Sequence, residues 1–295
     1  MKENVYCTTY VPTQTGEIII ESEHVLDSSV EFNDQGKEIV IENFDENNSV
    51  FSKEVYEYDS NGNRISEDLY DFNNEIIEKI RYKYNEDGKV IFQSEQYVES
   101  EEQYITKYIY QDQKLVQIDH FCDEAFEYTE KKFMYEKNFL VKEIEYNEDE
   151  EVKIIIQYKY DINGMLVKMI KDEVIEKDRR SYEYFYDSNG NKVKELIYNF
   201  KDKLIAAHYI KYNDKNQEIE SEWEDLDNYR KTCSEYEGDM QVKLQILDKD
   251  GKVLIISEYI RDENGKILEL RRYDFDDLYT NQIQLSKVYT YERID

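Results

Sequence analysis

The chain has almost no proline: Pro12 is the only one in 295 residues. Disordered chains tend to be rich in proline and poor in aromatics. This one has 29 tyrosines and 12 phenylalanines, so it reads as folded even though charged residues make up 36% of it. Cysteine is equally scarce. Cys7, Cys122 and Cys233 are odd in number, far apart and in no C-x-x-C spacing. That excludes a disulfide framework and fits a reducing, cytoplasmic setting. No stretch approaches the roughly 18 to 20 apolar residues of a membrane-spanning helix. The opening Met-Lys-Glu-Asn-Val-Tyr-Cys has no apolar run of signal-peptide length. The expectation is a cytoplasmic protein with no membrane insertion.

Positive charge is in short supply. There are 38 basic against 68 acidic residues, a net charge of −30. Nucleic acid is excluded as a partner, because phosphate binding needs clustered Lys and Arg. An anionic membrane surface is disfavoured for the same reason. A basic protein partner, steered in by the field, is permitted. The same charge also keeps a large exposed sheet soluble.

Recognisable chemistry is missing too. His24, His120 and His208 are too scattered to read as a triad or a zinc site. No nucleophile elbow, P-loop, dinucleotide fingerprint or H-E-x-x-H motif occurs. Asp59-Ser60-Asn61-Gly62-Asn63 resembles a calcium loop faintly, but its glycine comes fourth where an EF-hand needs it sixth. The expectation is a non-enzyme with no cofactor and no metal.

What the chain does have is a period. The hexapeptide Tyr-Asp-Ser-Asn-Gly-Asn occurs at 58–63 and again at 186–191. The same aromatic-turn-aliphatic pattern is anchored at Phe32, Tyr58, Tyr84, Tyr110, Tyr135, Tyr160, Tyr186, Tyr212, Tyr236 and Ile260, with spacings of 24 to 26 residues. A second register of turns lies between these anchors, so each half-period is 11 to 13 residues. That suits one strand and one turn. Ile80-Arg81-Tyr82-Lys83-Tyr84 alternates apolar and charged residues, the period-two signature of a strand. Asp59 opens the turn and Gly62 supplies its left-handed residue, as in a hairpin closed by a type I turn followed by a left-handed residue. The prediction is all-β: an antiparallel up-and-down meander of about 20 strands from ten repeats. A flat sheet of that size would be on the order of 95 Å wide, so it should be curled or superhelical. Residues 1–27 read as an N-terminal capping hairpin with Pro12 to Gly16 as its turn. Residues 28–275 read as the repeats and 276–295 as C-terminal capping strands, all in one continuous domain.

Two residue sets follow from the period. Tyr56, Tyr58, Tyr82, Tyr84, Tyr108, Tyr110, Tyr135, Tyr158, Tyr160, Tyr184, Tyr186 and Tyr212 form an aromatic row on one face, since i and i+2 share a face. This row is read as core, with a glycan platform as the alternative. The acidic second-register turns form a binding rim: Glu99, Glu101 and Glu102; Glu148, Asp149, Glu150 and Glu151; and Glu222, Trp223, Glu224 and Asp225.

The anchor Tyr56-Glu57-Tyr58-Asp59-Ser60-Asn61-Gly62-Asn63-Arg64-Ile65, with Tyr158 to Val167 and Tyr184 to Val193, resembles the YD repeat of Rhs-type proteins. The resemblance covers most of residues 28–275, and about half the copies match tightly. It implies long β-sheets built of hairpins, which in large family members wind into shells around a toxin. This chain lacks the proline-containing self-cleavage region of those shells and any toxin domain. The resemblance therefore implies a freestanding run of the repeat, of the kind found beside polymorphic toxins as an immunity or antitoxin component. Apart from the resemblance, the long sheet leaves a structural scaffold of a secretion or surface apparatus as the alternative role.

Overall fold

The computed structural model describes every residue except 14, 16, 101, 277–281 and 295. In chain order the strands are β1 (Lys2–Pro12), β2 (Ile18–Phe32), β3 (Glu38–Phe44), β4 (Val50–Tyr58), β5 (Arg64–Tyr70), β6 (Ile76–Tyr84), β7 (Val90–Tyr97), β8 (Gln103–Gln111), β9 (Lys114–Cys122), β10 (Ala125–Glu136) and β11 (Phe139–Tyr146). They continue as β12 (Val152–Tyr160), β13 (Leu166–Glu173), β14 (Asp178–Tyr186), β15 (Lys192–Tyr198), β16 (Leu204–Tyr212), β17 (Glu218–Asp225), β18 (Tyr229–Glu237), β19 (Met240–Leu247), β20 (Val253–Arg261), β21 (Ile267–Asp276) and β22 (Gln282–Ile294). The all-β expectation holds, and no helix occurs among the described residues.

The expected open, curled or superhelical meander is incorrect. All 22 strands belong to one sheet. β1 pairs with β2 on one side and with β22 on the other, from Lys2 opposite Ile294 to Thr9 opposite Lys287. The sheet therefore closes into a β-barrel. The physical reason is the edge: an open meander would leave two long strands with unpaired N–H and C=O groups, and closure removes both.

The chain forms two compact units. The first comprises Met1–Phe51, Phe185–Glu195 and Ala206–Asp295; the second comprises Ser52–Tyr184 and Leu196–Ile205. In the first, β16 to β22 pair consecutively and β22 continues through β1 and β2 to β3. β2 crosses the 27/28 boundary without a break. Two residues of the proposed Pro12 to Gly16 turn, Gln14 and Gly16, lie outside the described residues. In the second unit, β4 to β14 pair consecutively, each antiparallel to the next.

The turns follow the sequence closely. Asp59 N–H donates to the Asn63 carbonyl at 2.9 Å and Gly62 N–H to the Asp59 carbonyl at 3.0 Å. The Asp59 carboxylate accepts from the backbone N–H of Asn61 and Asn63, at 2.9 and 2.8 Å. Gly62 has φ +82°, where an L side chain is strained. The ladder slips by one residue just before the anchor, between Glu57 and Tyr58, and does the same at Lys83/Tyr84, Ile109/Tyr110 and Lys159/Tyr160. This is the bulge that accompanies a type I turn plus a left-handed residue. Asp187 to Asn191 repeats the same bonds. The twin hexapeptides are thus a hairpin specification.

Candidate functional site

In a meander, alternate turns share one rim. In the second unit, one rim carries the first-register turns after β4, β6, β8, β10 and β12, and the other carries the turns after β5, β7, β9, β11 and β13. The two rims are built differently.

The first rim is cross-linked by the aromatic row. The anchor tyrosines reach back one repeat and donate their hydroxyls to backbone carbonyls: Tyr84 to Arg64 at 2.6 Å and Tyr160 to Leu140 at 2.9 Å. In the other unit Tyr212 reaches Lys192 at 3.2 Å and Tyr236 reaches Glu218 at 3.0 Å. Lys89 lies 5.5 Å over the Tyr110 ring and Lys114 5.3 Å over the Tyr135 ring, and each lysine also donates to a carbonyl of the next hairpin. The inner tyrosines bond side chains instead. Tyr158 donates to Glu143 at 2.7 Å, Tyr108 to Gln93 at 3.3 Å, and Tyr56, 6% exposed, to Glu54. Burial, and then the neighbouring carboxylates, raise the pKa of Tyr56, Tyr82 and Tyr158. Tyr58, Tyr184 and Tyr186 share the face by their i, i+2 placement.

The second rim is acidic and partly apolar. Glu99 and Glu102 are exposed in the β7–β8 turn, and Glu101 lies outside the described residues. Glu148, Asp149, Glu150 and Glu151 form the β11–β12 turn, where the Asn147 side chain accepts from Glu151 N–H at 2.8 Å. These two clusters are four strands apart, about 19 Å along the same rim. Phe72, Val98, Phe126 and Ile175 stand beside the acids, 72, 43, 52 and 49% exposed. Tyr97 stacks edge-on to Tyr104 at 6.5 Å, and the Glu95 carboxylate it bonds pushes its hydroxyl up to about 12.

Glu222, Trp223, Glu224 and Asp225 belong to the other unit and lie in β17, not in a turn. The turn is Leu226 to Asn228. Asp225 is structural: backbone N–H groups of Asp227 and Asn228 and the Trp223 indole converge on it and lower it to about 2.

Pairing also assembles a cleft that the sequence did not foretell. A cavity of about 440 Å³ beside the β11–β12 turn is lined by Tyr128, Tyr146 and Ile175, by the carboxylates of Glu130, Glu145, Glu148, Asp149 and Glu176, and by Lys153. The carboxylates at its base are compensated. Lys131 lies 3.4 Å from Glu130 and 3.6 Å from Glu145, and Lys153 lies 3.0 Å from Glu145. His120 Nε2 meets Glu130 at 2.7 Å, its Nδ1 meets Thr106 at 3.3 Å, and its ring stacks on Tyr128 at 5.0 Å. Glu148, Asp149 and Glu176, at the mouth, make no ion pair with any described residue. Burial raises the Tyr128 hydroxyl, and Glu130 and Glu148 raise it further. The ladder slips between Thr129 and Lys131, so Glu130 reaches His120 through a bulge. Sequence alternation could not place that side chain. Among the described residues, no group of three or more His, Cys, Asp or Glu is placed to hold a metal ion.

Comparison with known proteins finds no matching family model and no matching curated protein. Among solved structures, TcdB2-TccC3-Cdc42 aligns with 86% of this chain and 16% of its own length, at 13% identity and a TM-score of 0.33. A Photorhabdus luminescens Tc holotoxin pore aligns over 95% and 18%, at 10% identity and 0.34. A porin-like protein from Bacteroides uniformis aligns over 99% and 96%, at 8% identity and 0.34. This chain thus spans less than a fifth of the toxin chains it matches. At such scores the likeness decides nothing about its function. The protein stands as an all-β repeat protein closed into a barrel.

Proposed function

We propose that the chain is a non-enzymatic protein-binding module that engages a basic protein along the acidic rim of β4–β14. One observation carries this reading: Glu148, Asp149 and Glu176, which make no ion pair with any described residue, share that rim with exposed Phe72, Val98, Phe126 and Ile175. Solubility explains acids, but it does not explain a phenylalanine left 72% exposed among them. Aromatic anchors ringed by charge are what a protein interface uses. The cleft offers a lysine or arginine of the partner two aromatic walls and three carboxylates that make no ion pair with any described residue.

The resemblance to the YD repeat adds a role. A freestanding repeat of this kind suits a cytoplasmic immunity or antitoxin protein that neutralises or escorts a basic toxin. The scaffold alternative uses the long sheet; self-association through open edge strands would support it, and the pairing of β1 with β22 leaves neither of those strands as such an edge. The glycan alternative would use the ring faces of the tyrosine row; the hydroxyls of Tyr84, Tyr108, Tyr158, Tyr160 and Tyr212 are already hydrogen-bonded within the sheet. A lipid-facing barrel needs an uncharged outer band. Here charges fall on both faces of single strands, as with Glu78 against Lys79 and Arg81 in β6.

The test is co-purification from the native host with the wild-type chain and with the triple variant Glu148→Lys, Asp149→Lys, Glu176→Lys. A stoichiometric basic protein should accompany the wild type and be lost from the variant. No such partner, or equal retention by both chains, overturns the reading.

A further inference from the structure

The face opposite the tyrosine row carries the reverse charge. In β10 to β13 it presents Lys132, Lys142, Lys159 and Lys168. Met134 lies opposite Lys142, Lys142 opposite Gln157, Gln157 opposite Ile170, and Lys159 directly opposite Lys168. Like charges directly opposite one another destabilise a sheet. Lys168 has a counter-ion, Glu183 at 3.2 Å. Lys142 and Lys159 make no ion pair with any described residue. The three amines line one cavity of about 590 Å³, with Met134 and Ile170 beside them and Glu136 as its one carboxylate. In a chain of net charge −30, Lys142 and Lys159, gathered beside Lys168 without an ion pair of their own, leave room for an outside counter-charge.

We infer that this cleft binds a small organic polyphosphate. The volume falls within the range of small-molecule sites. Lysine ammonium groups bind phosphate as compact point charges, with three rotatable donors each. Three amines on three adjacent strands span about 10 Å, enough to follow a chain of linked phosphates and more than one carboxylate fills. Met134 and Ile170 give the organic body an apolar floor. This site is on the other face from the tyrosine row and does not depend on the proposed basic partner.

Isothermal titration with ATP, inorganic tripolyphosphate and citrate tests it. ATP should bind saturably in the micromolar to millimolar range and more tightly than tripolyphosphate, with citrate weaker than either. Lys159→Gln should weaken ATP at least tenfold. The same change should raise the Tm of the free protein, because it removes the repulsion across Lys168. A merely structural lysine would not move both readouts in opposite directions. Lys107→Gln, on the same face but seated 3.8 Å over the Phe121 ring and opposite Asp119, should leave binding unchanged. Lys142→Gln serves if Lys159→Gln does not fold. No saturable binding at millimolar ATP, equal affinity for citrate, or a Lys159→Gln protein that binds as wild type would each overturn the inference.

Discussion

The two rims of the β4–β14 unit are made from the same strands and end in opposite ways. On the first rim, left-handed turn positions fall to glycine in three of five turns, at Gly62, Gly88 and Gly164, and to Asp112, Gln113 and Lys137 in the other two, while tyrosine hydroxyls tie one hairpin to the next. On the second, the left-handed positions are Asn74, Asp123, Glu124, Glu150 and Lys177, with no glycine. A glutamate at φ +60° costs backbone energy that glycine would not. The first rim is built for geometry. The second keeps side chains at every left-handed position where geometry would prefer glycine.

The largest expected effect breaks the first rim. Gly164 has φ +83°, and a Cβ there would sit 3.0 Å from Phe139 Cζ. Gly164→Val should cost about 2 kcal/mol or more, read as a lower denaturant midpoint at an unchanged slope. Tyr160→Phe removes the hydroxyl bond to the Leu140 carbonyl and should cost about 1 kcal/mol. No comparable loss is expected from Phe72→Ser on the second rim, since the ring is 72% exposed. Glu150→Gly should do the reverse of Gly164→Val. Relief of left-handed strain, about 1 to 2 kcal/mol, exceeds the entropic cost of glycine, about 0.5 to 1 kcal/mol. The net gain should be about 0.5 kcal/mol, and a measured loss would erase the contrast between the rims.

Acid should act on both rims alike. Asp59 on the first is held below its usual value by the Asn63 side chain and backbone N–H groups, and Asp71 on the second by the backbone N–H of Glu75 and then Asn73. A carboxylate depressed in the folded state contributes stability that is present above its unfolded pKa and lost as pH falls through the folded one. The Tm should therefore drop below about pH 4. Asp59→Asn keeps an acceptor oxygen and should flatten part of that drop. An unchanged acid profile would show that these turns do not set it.

Much of this was legible because it is local. Asp59, Gly62 and their copies specify hairpins by turn chemistry within five residues, so strand type, period and rim assignment could be read directly. Errors arose where the answer depended on partners. Glu222 to Asp225 read as a turn because acids cluster there, yet Trp223 faces His208 at 5.9 Å within the sheet. Glu148 to Glu151 were recognised as an acidic turn, while Glu130 and Glu176, which complete the cleft, lie 18 residues before and 28 after Glu148.

By itself, then, the sequence determined that this is an all-β chain of hairpins with a tyrosine face and two unlike rims, because turn geometry and strand alternation are written at short range. Only the tertiary structure decided that the sheet closes, that Glu130 turns toward His120, and that Lys159 confronts Lys168. Those depend on which strands pair and on where the ladder slips, as between Thr129 and Lys131, and strand alternation within one repeat does not fix either.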